Sequence, residues 1–139
     1  MLTAKNNHRN NRKKKIKAPK FHRHTSFYYF CAIMTEQQRT QIEEKTVEML
    51  RTVFDPEIPV DIYSLGLIYR IEVDDDGNLD IDMTLTAPNC PAADFLVEDA
   101  RYKLESIEGV KSVNINIVFE PEWTKDMMSD EAKLELGFL

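Results

Sequence analysis

Residues 67 to 85 alternate between apolar and polar side chains in two runs about a single break. Leu67, Tyr69, Ile71 and Val73 interleave with Ile68, Arg70 and Glu72; Leu79, Ile81, Met83 and Leu85 interleave with Asp80, Asp82 and Thr84; Asp76-Gly77 lies between them. A period of two sends successive side chains to opposite faces of a strand, and Asp-Gly is a strong hairpin-turn signal. The pattern predicts an antiparallel hairpin with one dry and one wet face. A two-stranded ribbon cannot bury its dry face alone, so the rest of the chain must cover it.

That cover is legible on both sides. Ile42, Thr46, Met49, Leu50 and Val53 recur at helical spacing opposite Glu43, Glu44, Lys45 and Glu48, and Thr35 with Gln38 supplies a capping box. Asp55-Pro56-Glu57-Ile58-Pro59 must interrupt the helix, because proline removes a donor and restricts the residue before it. After Pro91, the residues Ala93, Leu96, Val97, Ala100, Leu104 and Ile107 form a second helical stripe, with Gly109 as its stop. Val113, Ile115, Ile117 and Phe119 then alternate with Ser112, Asn114, Asn116 and Val118 as a third strand, and a short polar helix is predicted near Ser129 to Leu136. A hairpin, a crossover helix and a returning strand imply a small mixed sheet with helices on one face. The expected fold is compact α+β: a three-stranded mixed sheet, in the order helix, strand, strand, helix, strand, plus a short C-terminal helix.

Charge divides the chain. Residues 1 to 33 carry nine Lys or Arg and no acid, so residues 34 to 139 hold nine basic against 24 acidic side chains, a net of −15. Such a body repels phosphate backbones, and no nucleic-acid partner is expected. Residues 1 to 26, with the run Arg12-Lys13-Lys14-Lys15, have little to bury and are predicted to be disordered. Met34, directly before the capping box, is favoured as the start of the protein over the rival reading of residues 1 to 33 as a genuine disordered basic extension. On the favoured reading residues 1 to 33 are upstream sequence, and Cys31, His8, His22 and His24 have no role. The basic stretch before Phe27-Tyr28-Tyr29-Phe30 faintly resembles a signal peptide, but no small-residue cleavage pattern follows it. The longest apolar run, Phe27 to Met34, spans about eight residues where a membrane helix needs about 20. A cytoplasmic protein without a membrane partner is expected, with one domain over residues 34 to 139.

Little catalytic machinery is left in that domain. It has no histidine, a single cysteine and no Gly-rich phosphate loop, and Tyr63-Ser64-Leu65-Gly66 lacks the G-x-S-x-G elbow. Triad hydrolases, P-loop enzymes and histidine-based zinc sites are therefore poor candidates, and two cysteines in the whole chain make no disulfide framework.

Cys90 is the remaining chemical candidate. It follows a strand in Leu85-Thr86-Ala87-Pro88-Asn89-Cys90-Pro91 and precedes the second helix, where Pro91 suits the first turn. Unsatisfied N–H groups at a helix N-terminus favour thiolate over thiol, as a nucleophile or metal ligand requires. Asp94 and Glu98 follow within two turns and oppose this effect. The rival reading is a small apolar cysteine buried at a strand–helix junction. Asp55 and Glu57, two carboxylates set apart by a proline, read either as solvated acids ending a helix or as groups able to orient a partner, take a proton or offer a hard oxygen ligand. Thr84 and Thr86 fall on the wet face leading to Cys90, as ordinary strand residues or as hydroxyls for a sulfur or carboxylate. Trp123 reads as a packing anchor under the C-terminal loop, with a partner surface as the rival.

Five motifs together carry a resemblance: Asp55-Pro56-Glu57-Ile58, Ser64-Leu65-Gly66-Leu67-Ile68-Tyr69, Thr86-Ala87-Pro88-Asn89-Cys90-Pro91, Ile107-Glu108-Gly109-Val110 and Phe119-Glu120-Pro121-Glu122-Trp123-Thr124. In this order they resemble the metal-sulfur cluster biosynthesis domain of SufT-type iron–sulfur assembly factors and of the PaaD protein of phenylacetate degradation. The likeness runs from about Ile42 to the C-terminus, and the stand-alone SufT-like form is the better match because a PaaD-like cysteine-rich tail is missing. The resemblance implies an accessory role in iron–sulfur cluster assembly or delivery, not an enzyme, with the SUF machinery and client apoproteins as partners. It also implies that Cys90 is reactive and that Asp55, Glu57 and Thr86 line its site. Ala87 stands where some relatives carry a second threonine.

Iron–sulfur clusters take four ligands, mostly Cys thiolates, so one cysteine cannot hold a stable cluster in a monomer. Cys90 would bind a cluster transiently, or share it within a homodimer, or the protein would act as an adaptor without metal chemistry. The rival from another class is a thiol redox enzyme using Cys90; it lacks a resolving cysteine in the domain.

Overall fold

The computed structural model describes residues 33–139. The expected disordered basic segment, the signal-like stretch, Cys31 and the three histidines lie outside the described residues.

Helix α1 (Glu36–Leu50) begins at the predicted capping box: the Thr35 hydroxyl accepts from the Gln38 N–H, and the Gln38 side chain accepts from the Thr35 N–H at 2.9 Å. It buries Ile42, Thr46 and Leu50. β1 (Ile68–Val73) and β2 (Asn78–Met83) pair antiparallel from Ile68 opposite Met83 to Val73 opposite Leu79. Helix α2 (Ala93–Glu105) crosses over, burying Leu96, Ala100 and Leu104. β3 (Ser112–Ile117) returns parallel to β2, so β2 is central. A 3-10 turn over Lys125–Met127 leads to α3 (Asp130–Glu135), whose Ser129 cap accepts from Ala132 N–H. The predicted α+β order and mixed three-stranded sheet are therefore as observed.

The core sits between the helices and the sheet's dry face, where Leu79, Ile81 and Met83 meet Ile42, Leu50, Leu96, Ala100 and Leu104. The wet face is a polar lattice. Arg70 bonds the carboxylates of Asp82 at 2.7 Å and Asp80 at 2.8 Å and pairs with Glu72, while Asn114 and Asn116 donate to Asp80 and Asp82. The Arg70 hydrogen bond, then that from Asn116, holds the Asp82 carboxyl below the usual carboxylate range. Asp74 is likewise lowered, first by the Asn78 side chain and then by N–H groups of the turn.

Two expectations need correction. Tyr69 was predicted on the dry face, but pairing is irregular between Ile68 and Arg70, and the Tyr69 hydroxyl instead donates to the Pro121 carbonyl at 2.8 Å. Thr84 was predicted on a wet face, yet it is only 1% exposed, because the segment after β3 folds over it.

Candidate functional site

The Cys90 loop is built from two consecutive turns. Cys90 N–H donates to Ala87 O at 3.2 Å, and Cys90 O accepts from Ala93 N–H at 3.1 Å. Pro88 and Pro91 lie within these turns, where a fixed φ limits how far the loop can relax. Helix α2 begins at Ala93 rather than at Pro91, with Ala92 as its N-cap and no side-chain cap. Cys90 thus precedes the helix by a turn. Its side chain is half-buried against the edge of the core, with Ala87, Pro88, Asn89 and Pro91 exposed around it. A thiol so placed is held at the surface and reachable from one side.

Thr86, four residues earlier, lines a cleft of about 250 Å³. Its other walls are Thr84, Leu85 and Pro88 from the same strand and loop, and Phe119, Glu120, Glu122 and Trp123 from the segment after β3. Trp123 is fixed by its indole N–H, which donates to Leu65 O at 2.8 Å, as the anchor reading predicted. Ser129 N–H donates to Ser64 O at 2.9 Å, and Gly66 packs directly under Met127, where any Cβ would lie 2.8 Å from the Met127 carbonyl carbon. The Ser64-Leu65-Gly66 and Phe119-to-Thr124 motifs, far apart in sequence, are therefore one structure: the first is the seat on which the second is pinned over Thr84.

The carboxylates divide differently. Asp55 is buried, and its Oδ1 accepts from Glu57 N–H at 2.8 Å and Ile58 N–H at 3.3 Å, an Asx turn that shapes its own loop. The loop is closed by a bridge between Phe54 and Asp61. The Glu57 side chain is exposed. Among the described residues neither acid bonds to the Cys90 loop, and neither lines the cleft. Cys90 and Thr86 thus share one loop, whereas Asp55 and Glu57 stand on a separate one.

Sequence reasoning gave no role to Glu120 and Glu122. The available signal was the repeated acid-Pro-acid triplet: Asp55-Pro56-Glu57 turns its first acid inward, whereas Glu120-Pro121-Glu122 sets both acids at a cleft. Among the described residues no three His, Cys, Asp or Glu side chains gather closely enough to hold a metal ion, and no helix is long and apolar enough to cross a membrane.

Comparison with known proteins shows the family to which the chain belongs. A family model described as iron-sulfur cluster assembly protein matches residues 34–117. The chain is 67% identical over 99 residues to an Fe-S protein maturation auxiliary factor of Porphyromonas gingivalis, covering 71% of this chain and 94% of that one. It is 45% identical over 85 residues to the Fe-S protein maturation auxiliary factor SufT of Staphylococcus aureus, covering 61% of this chain and 97% of that one. Among solved structures, a domain of unknown function from Bacillus anthracis superposes with a TM-score of 0.70 at 36% identity, covering 76% of this chain and all of that one. The resemblance read from the five motifs is thereby established, and the chain belongs to the iron-sulfur cluster assembly protein family.

Proposed function

We propose that this protein is an accessory factor in the assembly of iron–sulfur clusters or their delivery to client proteins, with Cys90 as the group that takes the cluster in transit. The observation that carries this reading is the setting of Cys90: a half-buried thiol on a proline-braced loop open to solvent, beside the cleft of Thr86 and Trp123. The maturation roles in the relatives' names point the same way. The cluster is cargo rather than a resident cofactor. One thiolate offers one of the four ligands that a cluster takes, so the remainder come from the donor, the client, small thiols or a second copy of this chain.

In the transfer step Cys90 gives up its proton to solvent and its sulfur fills one iron coordination position as a donor ligand leaves; the client's thiolates then displace it. No redox change is needed, and no catalysis is assigned. Thr86 stands on the same loop and offers a hydroxyl to sulfur. Asp55 fixes the neighbouring loop, and Glu57 presents an exposed acid to a docking protein. The partners are the assembly machinery and client apoproteins of the cytoplasm.

The test is a host strain whose own copy carries Cys90→Ser. Aconitase-type activity should fall while the abundance of both proteins stays constant. Unchanged activity would show that Cys90 carries no cluster chemistry in the cell.

A further inference from the structure

The cleft beneath the C-terminal segment has a composition of its own. Its polar groups are the carboxylates of Glu120 and Glu122 and the hydroxyls of Thr84 and Thr86, all able to accept hydrogen bonds. Its apolar walls include the rings of Phe119, which is 45% exposed, and Trp123. Among the described residues neither Glu120 nor Glu122 forms an ion pair. The neighbouring cations are committed elsewhere: Lys125 lies over the Phe138 ring at 4.4 Å, and Arg70 is held by Asp80 and Asp82. Thr84 is almost completely buried, yet its hydroxyl makes no hydrogen bond with a described residue and faces the cleft. At the floor of the cleft this hydroxyl is one more group able to accept a hydrogen bond from a ligand.

These features select the ligand. Several acceptors and, among the described residues, no lining cation call for a donor-rich positive group. Aromatic walls favour an organic cation over a hydrated metal ion, and no three metal-binding side chains gather here. A guanidinium is planar, stacks on aromatic faces and offers five N–H donors that match carboxylates. The volume of about 250 Å³ suits one side chain, smaller than the usual site for a drug-sized molecule. A domain with a net charge of −15 also steers basic surfaces toward itself. We infer that the cleft formed by Thr84, Thr86, Phe119, Glu120, Glu122 and Trp123 receives an arginine side chain of a partner protein. This deepens the proposed function, on which it rests for the identity of the partner, because Thr86 belongs to both sites and a docked arginine would bring that partner beside Cys90.

Trp123 is the sole tryptophan of the chain, so its emission reports the cleft directly. The full-length protein is titrated with a capped Gly-Arg-Gly peptide, with its neutral citrulline isostere and with the lysine peptide. The expected result is a saturable change in Trp123 emission with arginine, at least tenfold weaker binding of citrulline and lysine peptides, and at least tenfold weaker arginine binding to the double variant Glu120→Gln, Glu122→Gln. Cys90→Ser should bind the arginine peptide as the wild type does. Failure of the cluster-transfer reading therefore leaves this test untouched, and the reverse holds too. Equal binding of the citrulline peptide overturns the inference, and equal binding of the lysine peptide overturns the guanidinium assignment. Both comparisons use wild-type protein and survive any misfolding of the variant. An unaffected double variant overturns the assignment of the two acids.

Discussion

Gly66→Ala is the substitution by which the structure can be tested most sharply, because two separable costs meet at one residue. Gly66 has φ +74, a left-handed conformation that costs an alanine roughly 1–2 kcal/mol. An added Cβ would also overlap the backbone carbonyl of Met127, which cannot rotate away as a side chain can. The 120–129 segment must then lift, weakening the Trp123–Leu65 and Ser129–Ser64 hydrogen bonds, at about 1 kcal/mol each. The expected loss is about 3–4 kcal/mol. Gly109→Ala is the control: its φ is +94, but its Cβ meets only the Cδ1 end of Ile42 at 3.1 Å, which can shift. It should lose only the conformational part, roughly 1–2 kcal/mol. Urea unfolding followed by Trp123 emission and by far-ultraviolet circular dichroism measures both. With a slope of about 2 kcal/mol per molar, the two midpoints should differ by about 1 M, and native-state emission should change only in Gly66→Ala. Equal midpoints for the two variants, or unchanged emission in Gly66→Ala, would refute the idea that Gly66 is the seat of the C-terminal segment.

Three further outcomes follow from particular contacts. Cys90→Ser, at a half-buried loop position, should shift stability by less than about 1 kcal/mol in urea titration, so a larger loss would mean that the thiol is a core element. Tyr69→Phe removes the hydrogen bond to Pro121 O and should cost about 0.5–1 kcal/mol; no measurable loss would mean that this tie contributes nothing in solution. Asp82 has a folded-state pKa below its ordinary 3.8, so its contribution is fully present above that value and is lost as pH falls through the lowered one. The stability difference between wild type and Asp82→Asn should therefore be constant near neutrality and shrink below pH 3.8, and a difference unchanged down to acid unfolding would contradict the Arg70–Asp82 pairing.

What the sequence disclosed and what it concealed follow from the range of the interactions involved. Helix α1 was legible to its capping residue, because Thr35 and Gln38 act within three positions. The hairpin and β3 were legible from their period of two, and α3 as a short polar helix near Ser129 to Leu136. Tyr69 misled because an irregular pairing shifts the phase of the alternation, which nothing in its neighbours signals. Thr84 misled because its cover comes from the Phe119-to-Trp123 segment, distant in sequence. The same limit hid the cleft. Cys90 and Thr86 could be found by local logic, but the union of the Thr86 strand with Glu120 and Glu122 depends on how Trp123, Leu65, Gly66 and Met127 fit in three dimensions. Asp55, a candidate site carboxylate in the sequence, has an Oδ1 that accepts from the two N–H groups following it, a local bond that spacing alone did not disclose.

The most direct measurement is anaerobic reconstitution of the full-length chain with iron and sulfide. Cys31→Ser is the background, leaving Cys90 as the single thiol, and the same chain with Cys90→Ser added is the comparison. Visible absorbance, iron per chain and native mass spectrometry read the result. Iron and sulfide retained by the Cys90-bearing chain and absent from the Cys90→Ser chain are expected, with the mass reporting which ligands complete the cluster. Iron and sulfide retained equally by both would contradict the assignment of Cys90 as the residue that takes the cluster in transit.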